Sequence, residues 1–219
     1  MIELSLDHAH KYLLQVLDEL KNLEGGEMLV EIDELDTMKL TEGYIVEAVL
    51  KAHKDAPAHI VEGLVGKVGE DYSVDFDEND KSVATIKMLQ PTARLASLKA
   101  SDSHMVVVDP IAESSPIARM QNNKYVRGTY DDPKLIVKSV WKQAYCPEYA
   151  YYSVMSDKAT FKVEYIPYPE LIGGSVQISS KLKYAVLALL VAMVLDALSY
   201  PDKANIFKAK YQEYLQTYR

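Results

Sequence analysis

Residues 184–195 read Tyr-Ala-Val-Leu-Ala-Leu-Leu-Val-Ala-Met-Val-Leu, an unbroken apolar run closed by Lys183 before it and Asp196 after it. A helix of that composition has no polar face, so in water it needs neighbours around most of its circumference. The run is 12 residues long, short of the ~18 that a membrane-spanning helix requires. It therefore predicts a buried helix, and it demands that the rest of the chain supply partners for it.

Candidate partners stand at both ends of the chain. Residues 5–23 place Leu6, Ala9, Leu13, Val16, Leu17 and Leu20 at spacings of three and four, one face of a helix. Ser5 is a suitable N-cap and Gly25-Gly26 a suitable stop. A second helix is expected over 40–55, capped by Thr41, with Ile45, Ala48, Val49, Leu50 and Ala52 on its apolar stripe. Pro57 limits that helix, because the residue before proline avoids the helical region, and it opens a short third helix over 57–62. At the other end, helices over 176–199 and 203–218 are expected, separated by Pro201-Asp202.

The middle of the chain changes period. Residues 72–76 and 83–89 alternate apolar and polar, with Asp77-Glu78-Asn79-Asp80 as the turn between them. Further strands are expected over 92–98, 105–108, 134–141, 149–155 and 160–166, with Ser156-Asp157-Lys158-Ala159 as a hairpin turn joining the last two. A short helix over 114–121 is entered through Ser115-Pro116, and Gly173-Gly174 makes a corner before the closing helices. The expected fold class is α+β: N- and C-terminal helices forming a helical bundle with a central antiparallel β-rich region. In residue terms, 1–219 is one domain in which 1–64 and 175–219 form the bundle and 70–168 a β-rich insertion.

The search for chemistry finds few anchors. The formal net charge is −8, without a Lys/Arg cluster of the kind that tracks phosphates. Glu70, Asp71, Asp75, Asp77, Glu78 and Asp80 form the strongest acidic run, which reads as a solvated hairpin. Asp75-x-Asp77-x-Asn79 starts like an EF-hand loop but has Asp80 and Ile86 where that loop needs Gly and Glu. The single cysteine, Cys146, rules out an internal disulfide and reads as a small packed residue. His8 and His10, two apart on a helix, point to different faces and do not make a metal pair. Gly63-x-x-Gly66-x-x-Gly69 lacks the strand-then-helix setting of a phosphate loop, and there is no G-x-S-x-G elbow for a hydrolase. The N-terminus has neither the basic nor the hydrophobic region of a signal peptide. The reading is a protein that is not an enzyme, with no catalytic residue, cofactor or metal. The alternatives are a non-viral soluble binding module and a small enzyme without a recognisable motif.

Tyrosine is the positive signal, 16 residues in 219. Tyr200, Tyr211, Tyr214 and Tyr218 crowd the last helix, the latter three at spacings that share a face. Tyrosine joins a large apolar body to a polar tip, which suits a surface that meets a partner. These four are the candidate interface residues, packing on the chain's own core being the competing reading.

An opening helix is followed by an acidic lead-in, Ile32-Asp33-Glu34-Leu35-Asp36, to a second helix and an Ala56-Pro57 step. An Asn-, Arg- and Gly-rich loop, Gln121-Asn122-Asn123-Lys124-Tyr125-Val126-Arg127-Gly128, leads through Asp132-Pro133 into a strand. Tyr165-Ile166-Pro167-Tyr168-Pro169 then meets an alanine- and leucine-rich closing helix pair. This order of segments resembles the head-to-tail connector proteins of tailed phages, the portal adaptor rings of podovirus and crAss-like types. The resemblance implies a structural protein of the virion, placed at the portal vertex or neck and assembled in the host cytoplasm. It implies a homo-oligomer, a twelve-fold ring whose partners are other copies of itself, the portal protein and the next tail or neck ring. DNA would pass through its channel without specific binding, and no membrane is involved.

Overall fold

The computed structural model describes residues 1–23, 34–61, 64, 72–78, 80, 82–138, 146–154 and 158–217. In chain order the elements are β1 (Ile2–Ser5), α1 (Leu6–Leu23), α2 (Glu34–Asp55), α3 (Ala58–Val61), β2 (Tyr72–Phe76), β3 (Val83–Met88), β4 (Thr92–Ala100) and β5 (Ile111–Ala112). There follow α4 (Pro116–Met120), β6 (Lys134–Lys138), β7 (Glu148–Tyr152), β8 (Phe161–Pro167), β9 (Ser175–Ile178), a 3₁₀ turn (Ser180–Leu182), α5 (Lys183–Ala197) and α6 (Pro201–Gln216). The fold is mixed α+β. It divides into two compact units, residues 1–64 with 169–219, and residues 65–168.

The first unit is helical and is built from both ends of the chain. The apolar run becomes α5, buried from Ala185 through Ala192 and again at Val194 and Leu195. It packs against α6, α2 and α1, the neighbours its composition demands. Helices α1 and α2 turn in residues of their predicted stripes, Leu13, Val16 and Leu17 from the first and Ile45, Ala48, Val49 and Ala52 from the second, and α6 turns in Ala204, Phe207 and Leu215. No helix among the described residues is long and apolar enough to cross a membrane.

Ser5 caps α1 as expected, its hydroxyl accepting from the His8 N–H at 3.2 Å. The Gly25-Gly26 stop lies outside the described residues. Thr41 does not cap α2. The helix starts earlier, and Thr41 sits buried inside it, donating its hydroxyl to the Thr37 carbonyl at 2.8 Å. A threonine satisfied by the carbonyl four residues back is compatible with a helix interior. Thr37 in turn meets the buried His10 across from α1, Nε2 lying 2.9 Å from Thr37 Oγ1.

The expected helix over 176–199 is corrected in its first part. Ser175–Ile178 is strand β9, paired antiparallel with β1, Ile2 opposite Ile178 and Ser5 opposite Ser175. Gly173 and Gly174 hold φ of +58 and +75, and Ile172 and Ser175 exchange hydrogen bonds of 2.9 and 3.0 Å across them. Two positive φ values in a two-residue loop are the signature of a type I′ turn, a conformation that glycine adopts without strain.

The second unit is a β structure. A five-stranded sheet runs β2-β3-β7-β6-β5, and a two-stranded sheet pairs β4 with β8. All pairings are antiparallel except β5 with β6. One core joins the two sheets: Ile86 and Met88 from β3, Leu95 and Leu98 from β4, Tyr149 and Tyr151 from β7, Val163 and Tyr165 from β8. At its centre the Tyr151 and Phe161 rings meet edge to face at 5.3 Å. The expected 156–159 hairpin is corrected here. Both edges of β7 are occupied, by β3 and β6, so β8 turns away to pair with β4. The expected strand over 105–108 reduces to one bridge, Val107 with Leu98.

Candidate interaction surface

The four tyrosines singled out by sequence take different positions. Tyr211 is 1% exposed, and its hydroxyl donates to Asp55 Oδ2 at 2.9 Å. It lies on the stripe Ala204, Phe207, Tyr211, Leu215 that α6 must use to cover α5, so it packs on the chain's own core rather than on an open face. Burial and the Asp55 carboxylate both push its hydroxyl well above the ordinary tyrosine range. Tyr214, three residues on, is 37% exposed, with its ring 6.1 Å from Tyr184. Tyr200 is half-buried, with Lys203 Nζ 5.2 Å from its ring centroid. Tyr218 lies outside the described residues. Tyr12 on α1 completes a cluster with Tyr184 and Tyr214. Burial, with the nearby Tyr214, Glu19 and Tyr184, raises its hydroxyl.

The surface that sequence reasoning missed lies in the second unit. Met105, Val106, Val108, Ile117, Met120, Tyr125 and Val126 are all exposed, a concentration of large apolar side chains that no other described segment of similar length matches. Scattered single apolar residues on a surface are ordinary; a dense set is a mark of a contact region. The available signal was Tyr125, a bulky aromatic between Lys124 and Val126 in an Asn-rich turn, where small polar residues are the norm.

Residues 115–128 are held by a set of local bonds. Ser115 caps α4 through its side chain, with Pro116 as the first helical residue. Two tight turns follow, Asn123 N–H to the Met120 carbonyl at 2.9 Å and Val126 N–H to the Asn123 carbonyl at 3.0 Å. Asn123 Oδ1 also accepts from the Tyr125 N–H at 3.0 Å, the local bond for which asparagine is favoured in turns. Buried Gln121 bridges the ends, donating Nε2 to the Ile117 carbonyl at 3.0 Å and accepting the Gly128 N–H at 2.8 Å.

Gly128 and Arg127 then fasten the loop to the sheet. A Cβ at Gly128 would collide with the Tyr152 carbonyl and come within 2.8 Å of the Lys134 nitrogen, so only glycine lets the loop lie this close to β7 and β6. Arg127 donates to Asp80 Oδ2 and, at 2.8 Å, to Ser82 Oγ in the β2–β3 turn. The Ser82 hydroxyl and the Arg127 guanidinium together hold the Asp80 carboxyl down at about 2. Ser153 donates its hydroxyl to the Thr129 carbonyl at 3.1 Å.

Beside this clasp is a cleft of about 360 Å³ lined by Asp75, Asp77, Asp80, Arg127, Lys138 and Tyr152, among others. Its charges are of both signs and partly satisfied internally: Arg127 by Asp80, and Lys138 by Thr85 at 3.3 Å. Among the described residues no group of three His, Cys, Asp or Glu side chains is placed to hold a metal ion. Comparison with known proteins finds no family model and no curated protein that matches the chain.

Proposed function

We propose that this chain is a structural subunit of a ring in a tailed phage, joining the portal to the tail and letting DNA pass. The reading rests on the order of segments that resembles the connector family, and one observation of the structure supports it. The 105–126 segment carries a dense set of exposed apolar side chains, and the most exposed of them, Tyr125, stands on a loop fastened by Gln121, Arg127 and Gly128. A protein whose work is contact requires a fixed, water-exposed apolar surface, since preorganised contacts lose little entropy on binding. In this reading the subunit acts by binding rather than by reaction, and copies of itself, the portal and the next neck or tail ring are its partners. The excess of acidic side chains, net −8, suits a wall past which DNA slides, because each phosphate neutralised by a cation adds affinity.

The experiment is native mass measurement and electron microscopy of the purified protein, alone and mixed with the portal of the same genome. A ring, or a portal capped by one, is the expected product. A monomer indifferent to the portal would remove the connector reading and return the chain to the class of free binding modules.

A further inference from the structure

Tyr125 is 86% exposed, the most exposed large apolar side chain of the described residues. It is held on a loop pinned through Asn123, Gln121, Arg127 and Gly128. An aromatic side chain has few rotatable bonds, and a pinned loop has little freedom left, so such a residue binds at low entropic cost. Lys124 Nζ lies 5.4 Å from the Tyr125 ring, and Arg119 stands exposed on α4. The tip of this loop is therefore aromatic and locally basic, in a chain that is acidic overall.

A surface of matching character exists in the helical unit. The Tyr184 ring is 56% exposed and the Tyr214 ring lies against it, with Tyr12 and Glu19 of α1 close by. Asp18 and Glu19 are exposed on α1, and over residues 1–64 and 169–219 together acidic side chains outnumber basic ones by 18 to 11. Lys183 lies 5.9 Å from the Tyr184 ring, so the attraction for a cationic loop comes from the α1 carboxylates rather than from the tyrosines' other neighbour.

We infer that the Tyr125 loop of one copy docks on the Tyr12–Tyr184–Tyr214 cluster of a second copy, with Lys124 facing Glu19. The inference rests on the ring reading above and names its contact. Two different patches that complement each other generate a head-to-tail interface, which repeats from copy to copy and closes into a ring when the rotation permits. Opposite charges at the rim set the register and the rate of encounter, and the aromatic anchor supplies most of the affinity.

The test measures assembly of the full chain by native mass, alone and on the portal of the same genome. It compares wild type, Tyr125→Ser, Lys124→Glu, and the charge-swapped pair Lys124→Glu with Glu19→Lys. The expected result is that Tyr125→Ser melts like wild type but needs a concentration higher by about tenfold or more for half-assembly. Lys124→Glu assembles poorly and the swapped pair recovers. If wild type and Tyr125→Ser form rings equally well, this contact is wrong while the ring reading stands. If wild type forms no ring under either condition, the ring reading falls and the contact with it. Retention of duplex DNA by wild type that is lost in Tyr125→Ser, with assembly unchanged, would assign the loop to nucleic acid and overturn the inference.

Discussion

Tyr211 shows how one side chain can serve both polarity and packing. Its ring fills the helical core while its hydroxyl reaches Asp55 at 2.9 Å. Removing the hydroxyl alone, in Tyr211→Phe, is expected to cost about 1.5–3 kcal/mol, the usual net value of a hydrogen bond to a charged group. Tyr211→Ala adds a cavity and is expected to cost about 3–5 kcal/mol. Urea unfolding of the two variants measures both, and equal, negligible losses would show that Tyr211 is not a core residue. Asp80 makes a different prediction, in acid. Its folded carboxyl is lowered from the ordinary 3.8 to about 2, so its contribution is present above the ordinary value and is lost as pH falls through about 2. The gap in urea midpoint between wild type and Asp80→Asn should accordingly be open near neutrality and close as pH falls toward about 2. A gap independent of pH would mean that Asp80 works without its charge.

At the scale of elements, the end of α5 is the most informative junction. Ser199 holds φ +65, the Tyr200 N–H bonds the Leu195 carbonyl at 2.9 Å and the Ser199 N–H bonds the Asp196 carbonyl at 3.1 Å. That pair of bonds is the Schellman arrangement, which favours glycine at the left-handed position. Ser199→Gly is expected to raise stability by about 1 kcal/mol, read as a higher melting temperature; a loss would mean that the serine side chain supports the turn. The helices were legible in the sequence because each carries a local signal: α1 its three-and-four spacing with the Ser5 cap, and α5 its continuous apolar run. The start of α2 was misplaced locally, since Thr41 bonds back inside the helix instead of capping it, and the larger errors arise where a distant partner decides. Val176 and Ile178 extend the apolar pattern toward α5, yet they form β9 because β1 offers a strand to pair with and Gly173-Gly174 turns the chain toward it. Strands β7 and β8 are consecutive, but the edges of β7 are already taken. The same limit governs the site. The spacing of Tyr211 and Tyr214 says that they are neighbours on a helix, but not which one the core of α5 requires. The exposure of Tyr125 depends on bonds from Gln121 to Gly128 and from Arg127 to Asp80 that no local period encodes.

For the molecule as a whole, the central fact is its division into two units. Both ends of the chain are tied into the helical unit, through the β1–β9 ladder and the packing of α1, α2 and α6 on α5, and the β unit is inserted between them. Each unit has its own core, and each also exposes aromatic residues, Tyr125 in one and Tyr184 and Tyr214 in the other. In the proposed ring these two exposed sets would be the complementary patches that a heterologous interface requires. The most direct measurement is therefore the mass and symmetry of the purified protein, alone and with the portal of the same genome. A ring of identical subunits, or a ring seated on the portal, is the expected result. A protein that stays a single chain at every concentration, with and without the portal, would contradict it.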